Sequence, residues 1–427
     1  MNIVLINQFY PPDTAPTGRV LHDLAAMLAR RGHRVDVVCS RHFYGGTACA
    51  ARREILDGVR VHRVVGGGLG RHSAIGKLID YAVFYVCSAA ALASVGRHAD
   101  LILALTTPPY IGLAAALVAR LRRARHAHWI MDVYPDVLAA HGKILPDSSI
   151  AYRCLAALSR RELRTSALTF TLGPDMAERI RAYTSRAADA MEPRWLPLWG
   201  DRTRAETDGT AVAALRKRRG WEGEIVFMYS GNMGQAHRFG EFLQVALRAA
   251  ELRPEGVAPP RFVFAGDGPR RKEIAAFAEA HPGAAVSLLP YIEKEKVSVH
   301  LRTADVMLAS LDPRWQGCLI PSKLQAAFEV GRPVLFLGAE ENSAARWIRE
   351  SGGGWVVHPD DAEGLAAAVV EACDARKRAV RAAAAREFAV TRFNYERNAG
   401  RICDWIEQSR GAPRLNGRAA YESESQT

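Results

Sequence analysis

A short stretch in the second half of the chain carries residues suited to an anion site, in the order that would build one. Pro321 and Ser322 are typical of the start of a helix, with Ser322 as N-cap, and Lys323 adds an ammonium beside the free amides of the first turn. Gly331 suits the left-handed position after the helix, and a buried strand is predicted at 334–337. A helix start with an extra cation is a natural phosphate site. An ordinary capped helix in an α/β domain explains the same segment equally well.

Three further loops combine small residues with a position after a predicted strand. They contain Thr17 with Gly18, the segment 231–234 and the segment 266–268. Small residues let backbone amides approach a ligand, although tight turns need glycine in any case. In open parallel sheets, ligands bind beyond the carboxyl ends of the strands, so these loops are candidate binding loops.

Two common nucleotide motifs are missing from the chain. The loop after the first strand, NQFYPPDTAPTG, lacks the G-x-G-x-x-G order of a dinucleotide site, and no Walker lysine loop occurs. These absences argue against a dehydrogenase and against a P-loop NTPase.

Alternating apolar runs and amphipathic segments predict the framework that must position these loops. Strands are predicted at 3–6, 34–39, 59–65, 101–105, 126–131, 168–172, 225–229, 262–265, 306–308 and 334–337. Residues 20–31 have helical spacing between the first two strands, which indicates a βαβ unit with a right-handed crossover. The predicted fold class is α/β, with two doubly wound parallel-sheet (Rossmann-like) domains facing a cleft.

At 427 residues the chain is too long for one ordinary core. The segment 191–219 interrupts the pattern with prolines and a charged run, and we predict the interdomain connection there. The domains are therefore expected at 1–200 and 220–400. Residues 411–427 are polar and predicted to be disordered.

The amino-acid composition limits the classes of partner and the cellular compartment that fit this chain. The net charge of +12 favours anionic partners such as nucleotides, lipid phosphates or nucleic acid, but no interleaved aromatic and basic pattern supports nucleic-acid binding. Seven scattered cysteines indicate neither a disulfide framework nor a zinc site, which fits a cytoplasmic protein. The N-terminus is typical of a first strand and not of a signal peptide. The apolar stretch 81–95 is shorter than the roughly 20 residues of a spanning helix, so integral insertion is not expected.

Several longer segments, taken in order, carry a family resemblance. They are NQFYPPDTAPTGRV near the N-terminus, HWIMDVYPD at 128–136, YSGNMGQAH at 229–237, FVFAGDGP at 262–269, TADVMLASL at 303–311 and PSKLQAAFEVGRPVL at 321–335. Over nearly its whole length the chain resembles the retaining glycosyltransferases of family four, which have the two-domain GT-B fold. It is similar to the bacterial branch that assembles O-antigen, capsule and exopolysaccharide, including N-acetylfucosaminyl transferases.

The resemblance implies a donor site for a nucleotide sugar. The implied donor-binding residues are Thr17, Gly18, Gly231, Asn232, His237, Gly266, Asp267, Gly268, Tyr291, Ile292, Pro321 and Ser322. Asn232 and His237 stand where many relatives place Arg and Lys against the diphosphate. By the same analogy, Tyr291 and Ile292 would lie near the base, and a C-terminal helix at about 400–410 would pack back on the first domain. A donor of the UDP-N-acetylhexosamine type is expected by analogy with the branch.

Lys323 and Asp132 are the candidate catalytic residues. Breaking a sugar–diphosphate bond develops negative charge on the leaving phosphate, which backbone amides and Lys323 would stabilise. We expect no metal and no cofactor beyond the donor. Asp132 could orient the acceptor hydroxyl, although N-capping of the next helix explains it equally well. Arg238 is a further candidate cation.

One departure from the family concerns its Glu-(seven residues)-Glu pair. Aligned through Gly331, the two positions fall on Cys318 and Ala326. We interpret this as a variant donor site, with loss of activity as the alternative.

Relatives in this branch commonly act on saccharides linked to polyprenyl diphosphate at the inner face of the cytoplasmic membrane. A basic cluster at Arg120, Arg122, Arg123 and Arg125, with the apolar stretches 81–95 and 111–118, fits peripheral docking to anionic lipid. Solvated helix ends and buried helices explain the same residues equally well. The competing functions are a GT-B sugar-nucleotide epimerase and a non-catalytic lipid- or nucleotide-binding protein.

Overall fold

The computed structural model describes residues 1–13, 15–43, 49–66, 74–142, 145–184, 192–200, 209–257 and 259–411. The chain divides into two compact units. The first comprises Met1–Leu172, Met176–Leu196 and the chain from Glu396 onward, and the second comprises Gly173–Asp175 and Pro197–Tyr395. Apart from residue 411, the tail predicted to be disordered lies outside the described residues, as does the middle of the predicted connection.

The first unit is built on an eight-stranded sheet. Its strands are β1 (Asn2–Ile6), β2 (Arg34–Ser40), β3 (Arg53–Leu56), β4 (Val59–Val64), β5 (Leu101–Ala104), β6 (Arg125–Trp129), β7 (Leu168–Thr171) and β8 (Arg194–Trp195). They lie in the order β3-β4-β2-β1-β5-β6-β7-β8, and only the β3–β4 pair is antiparallel among the described strands. The order reverses between β1 and β5, which is where doubly wound sheets bind ligands.

Helices pack on this sheet by burying one apolar side. They are α1 (Pro16–Arg30), α2 (Ala74–Val95), α3 (Ile111–Arg122), α4 (Asp136–Ala140), α5 (Ile150–Arg164) and α6 (Pro174–Thr184). In α1, Pro16 occupies the first turn, where its missing N–H costs nothing, and Leu21, Leu24 and Leu28 are buried at helical spacing.

The second unit has a six-stranded sheet in which every pair is parallel. Its strands are β9 (Ile225–Ser230), β10 (Pro260–Ala265), β11 (Val286–Leu289), β12 (Val306–Ser310), β13 (Val334–Leu337) and β14 (Gly354–Val357). Their order is β11-β10-β9-β12-β13-β14, with the reversal between β9 and β12.

The helices of the second unit are α7 (Gly209–Arg218), α8 (Gly240–Leu247), α9 (Ala249–Leu252), α10 (Arg271–Ala280), α11 (Val297–Arg302), α12 (Lys323–Glu329), α13 (Ser343–Ser351), α14 (Ala362–Cys373) and α15 (Ala375–Arg392). Side chains of β9, β10, β12 and β13 form its core with α8 and α14. Gly331 has φ +66° after α12, as its predicted left-handed role requires.

The last helix, α16 (Tyr395–Gln408), belongs mostly to the first unit. Trp405 packs on Phe170 with ring centroids 5.9 Å apart. Arg31 Nη1 lies 2.7 Å from Asp404 Oδ1, so both apolar and charged contacts hold the helix there.

The predicted fold class is confirmed, because both units are doubly wound α/β sheets. The strands that the sequence does not predict are β3, β8, β11 and β14, which are the four edge strands of the two sheets. Edge strands bury less of their surface, and the patterns of β3, β8 and β11 contain only exposed or half-buried residues.

Candidate functional site

Lys323 begins α12 and directs its ammonium onto the loop after β9. Nζ lies 3.2 Å from His237 Nε2, 3.4 Å from the carbonyl oxygen of Asn232 and 4.7 Å from the centre of the Tyr229 ring. Ser322 occupies the N-cap position, but its side chain accepts no capping hydrogen bond. The structure therefore brings together two segments that the sequence marked separately, at the point where the strand order reverses.

His237 holds this arrangement through its ring tautomer. Nδ1 lies 2.6 Å from the carbonyl oxygen of Ser310, at the end of β12, and must be the donor because a carbonyl only accepts. Nε2 therefore carries a lone pair and accepts from Lys323. Burial, together with the nearby Lys323 ammonium, lowers the pKa of His237 to about 3, so the ring is neutral. In this arrangement His237 positions the cation and does not add a second charge.

The pKa of the Lys323 ammonium lies close to neutral pH. Burial lowers the pKa of Lys323 from 10.5 to about 7. An anion bound beside it would favour the charged form.

The other candidate cation, Arg238, is already paired. Its Nε donates to Glu241 Oε1 at 2.6 Å, and its Nη1 lies 3.9 Å from Asp312 Oδ2. Of these two cations, Lys323 is therefore better placed to contact a ligand.

The glycine turn after β10 packs backbone to backbone against the loop after β9. Met233 N donates to Asp267 O at 2.8 Å, and a Cβ atom at Gly268 would lie 2.6 Å from Met233 O. Gly268 also has φ +146°, which side chains other than hydrogen disfavour. The carboxylate of Asp267 accepts from Gly268 N at 2.8 Å and so stabilises its own turn.

Two further donor-site candidates also lie in the second unit. Tyr291 and Ile292 follow β11, and the Tyr291 side chain is 63% exposed. The two positions of the family's glutamate pair are the buried Cys318 and the half-buried Ala326, and neither supplies a carboxylate.

In the first unit, Thr17 and Gly18 lie beside the loop after β1. A Cβ atom at Gly18 would lie 2.9 Å from the carbonyl carbon of Phe9, so this close approach of α1 needs glycine. Thr17 Oγ1 accepts from Asn7 Nδ2 at 3.4 Å.

Asp132 follows β6 in the first unit and does not cap the next helix. That helix, α4, has Pro135 at its N-cap, so the capping interpretation is wrong. Thr106 Oγ1 accepts from Met131 N and Asp132 N at 3.2 and 3.3 Å, which holds the loop in place. Burial raises the pKa of Asp132 to about 6, and its carboxylate has no hydrogen-bond partner among the described residues.

A small cavity adjoins Asp132, and sequence reasoning missed its most unusual member, Glu162. The cavity measures about 30 Å³, enough for about one or two water molecules, and Glu162 and His128 also line it. Glu162 Oε1 lies 3.2 Å from His128 Nδ1. Burial raises the pKa of Glu162 to about 8 and, with His126, lowers that of His128 to about 3.

Glu162 occurs in the run RRELR, which is typical of a solvated helix face. The structure explains how the carboxylate is accommodated, since a side chain at Gly112 would overlap it.

Within the described ranges, no group of three or more His, Cys, Asp or Glu side chains is arranged to hold a metal ion.

Two family models match the chain, one in each half. The glycosyl transferase 4-like domain matches residues 17–192, and the glycosyl transferases group 1 domain matches residues 224–375. Together they cover most of both units.

Similar proteins agree with these models. A probable glycosyltransferase, WbjE of Pseudomonas aeruginosa, is 25% identical over 286 residues, which is 66% of this chain and 68% of WbjE. WaaG, a glycosyltransferase involved in lipopolysaccharide biosynthesis, superposes with a TM-score of 0.65 at 18% identity, covering 95% of this chain and 99% of WaaG. Anabaena HepE in complex with UDP gives a TM-score of 0.64 at 16% identity, covering 96% of this chain and 100% of HepE.

Proposed function

Because the chain belongs to the family-four glycosyltransferases with the GT-B fold, we propose that it moves a sugar from a UDP-N-acetylhexosamine type of donor with retention of anomeric configuration. The acceptor we propose is a saccharide linked to polyprenyl diphosphate, in the assembly of a cell-surface polysaccharide. The observation that carries the proposal is the Lys323 ammonium, 3.2 Å from His237 Nε2, beside glycine loops at the strand-order reversal of the second unit.

The reaction requires positive charge beside the leaving phosphate. The bond between the anomeric carbon and the diphosphate oxygen breaks, and negative charge develops on that phosphate. Lys323 and the main-chain amides of the adjoining loops would stabilise this charge in the transition state. Neutral His237 and the carbonyl oxygen of Asn232 each accept one Lys323 proton, which leaves the third proton for a phosphate oxygen.

The leaving phosphate also takes part in the attack by the acceptor, because it receives the acceptor proton. A new bond forms between the acceptor oxygen and the anomeric carbon on the face that the diphosphate leaves. The acceptor proton passes to the leaving phosphate oxygen, so no protein nucleophile is required. Asp132, with a pKa of about 6, is mostly ionised at neutral pH and would accept a hydrogen bond from the acceptor hydroxyl to orient it.

Three relatives support the substrate class. HepE has been solved with UDP and with UDP-glucose, which supports a uridine donor here. WaaG acts in lipopolysaccharide biosynthesis, which supports a surface polysaccharide as the product, and WbjE, a probable glycosyltransferase, supports sugar transfer.

A donor screen followed by product analysis tests the proposal. We expect thermal stabilisation by UDP sugars beyond that by GDP or ADP sugars, and release of UDP only when an acceptor is added. Proton NMR of the product should show the anomeric configuration of the donor. An inverted product would refute retention, and donor consumption without acceptor would indicate an epimerase instead. Absence of nucleotide-sugar binding would favour a non-catalytic lipid-binding or scaffold protein.

A further inference from the structure

Three neighbouring helices of the first unit, α2, α3 and α5, expose an unusual amount of apolar surface. They follow successive parallel strands, and α3 contacts both α2 and α5, so their outer sides form one surface. Eight of the fifteen exposed large hydrophobic side chains of the described chain lie there. These are Leu78, Ile79, Val83, Val86, Leu117, Leu121, Ile150 and Leu158. Apolar side chains that cluster on one surface indicate an interaction site, whereas single exposed apolar side chains need no such explanation.

Helix α2 shows the asymmetry most clearly. Its inner side buries Phe84, Ser88 and Leu92, at a spacing of four residues. Its outer side exposes Leu78 by 69% and Val86 by 71%, and residues 81–96 contain no charged side chain. Burial inside the protein therefore does not explain why this helix is apolar all round.

By length and composition, one helix of the described residues could cross a membrane. It spans Leu78–His98, and only 17% of its apolar window is buried. The sequence estimate from 81–95 alone was too short, because the helix begins at Ala74. Since Phe84 and Leu92 belong to the core of the first unit, a spanning orientation would expose that core. An orientation parallel to the bilayer leaves it intact.

The same surface carries a dense positive charge. Exposed arginines occur at the ends and outer sides of the three helices, namely Arg97, Arg120, Arg122, Arg123, Arg153, Arg160, Arg161 and Arg164. The acidic residues on these helices are the half-buried Asp80 and the buried Glu162.

The sequence prediction of this surface needs two corrections. Arg125 is 2% exposed and donates to the carbonyl of Ser409, so it is not part of the basic cluster. Within 111–118 only Leu117 is an exposed large side chain, whereas α5 contributes residues that the sequence did not indicate.

We propose that the outer sides of α2, α3 and α5 form a docking surface for an anionic lipid bilayer, with α2 lying in the plane of the interface. Apolar side chains would enter the boundary between headgroups and acyl chains, and the arginines would pair with lipid phosphates. A symmetric contact with a second copy is disfavoured, because it would place arginine-rich surfaces against each other. Lipid binding of this kind is independent of whether a sugar is transferred.

Flotation of the full chain with vesicles tests the docking surface. We expect binding to vesicles of equal parts phosphatidylglycerol and phosphatidylcholine at low salt, and release at high salt as the Debye length shortens. Arg120→Ser with Arg122→Ser should weaken binding about 25-fold, because each arginine contributes about 5-fold. Val86→Glu with Leu117→Glu should weaken it by at least about 10-fold.

Matched controls come from α15 of the second unit. Val380 and Val390 are 70% and 62% exposed, close to Val86 and Leu117, and their replacement by Glu should leave binding unchanged. Arg376→Ser with Lys377→Ser controls for the loss of two exposed charges.

The proposal would be overturned by an equal loss of vesicle binding in the control variants, by no binding at low salt, or by dimerisation through this surface. Retention after an alkaline carbonate wash would refute the in-plane orientation.

Discussion

Replacing Lys323 by Met tests the central feature of the donor site. The substitution keeps an unbranched apolar side chain and removes the ammonium, which lies 4.7 Å from the centre of the Tyr229 ring and 3.2 Å from His237 Nε2. Donor binding should weaken, and turnover should fall more steeply, because the charge on the leaving phosphate is greatest in the transition state.

The size of the effect follows from the half-buried position of the ammonium. Loss of one preorganised donor to a developing oxyanion costs about 2.7 to 4 kcal/mol, so kcat/KM should fall about 100- to 1000-fold. Partial access to solvent places Lys323 toward the lower end of that range.

The pH profile separates a charge effect from a packing effect. Only protonated Lys323 can stabilise the phosphate, and its pKa in the free enzyme is about 7. On this basis kcat/KM should decline about tenfold per pH unit above 7. Asp132, with a pKa of about 6, must be ionised and should produce an acid limb below 6. The alkaline limb of kcat should lie higher, because bound diphosphate favours the ammonium.

Initial rates of UDP release, measured with saturating acceptor, provide the assay. Lys272→Met is the matched control, because Lys272 is an exposed lysine on α10 of the same unit. The reasoning fails if Lys323→Met keeps wild-type kcat/KM, or if its alkaline limb near pH 7 persists.

Three further predictions concern other parts of the molecule. Burial raises the pKa of the Glu162 carboxyl from its ordinary value of 4.5 to about 8. Its contribution to the free energy of unfolding is therefore complete below pH 4.5 and is lost as the pH rises to 8. In urea unfolding, wild type should therefore lose about 2 kcal/mol relative to Glu162→Gln between about pH 6.5 and pH 8, and parallel curves would contradict this. Gly268→Ala should cost about 1 to 3 kcal/mol in thermal unfolding and weaken UDP-sugar binding, whereas Gly283→Ala, where a Cβ atom meets open space, should do neither. Turnover should survive EDTA treatment, and a loss restored by added Mg²⁺ would show that a metal is needed.

Much of the fold could be predicted from the amino-acid sequence. Ten of the fourteen strands in the described part of the chain follow from apolar runs, because central strands of parallel sheets are buried on both faces. The four missed strands are sheet edges, and three of them, β3, β8 and β11, contain only exposed or half-buried residues. The order Pro321, Ser322, Lys323 also indicated a cation at a helix start, since local capping rules operate within a few residues.

The tertiary structure alone decided how these residues work. Lys323 and His237 are 86 positions apart, and they meet because crossover connections place β9 beside β12. The neutral tautomer of His237 depends on the carbonyl of Ser310, and the raised pKa of Glu162 depends on its burial beside the cavity that Asp132 also lines. Sequence spacing determines which side of a helix a residue occupies, whereas charge state and contact partners depend on what the fold packs against that side.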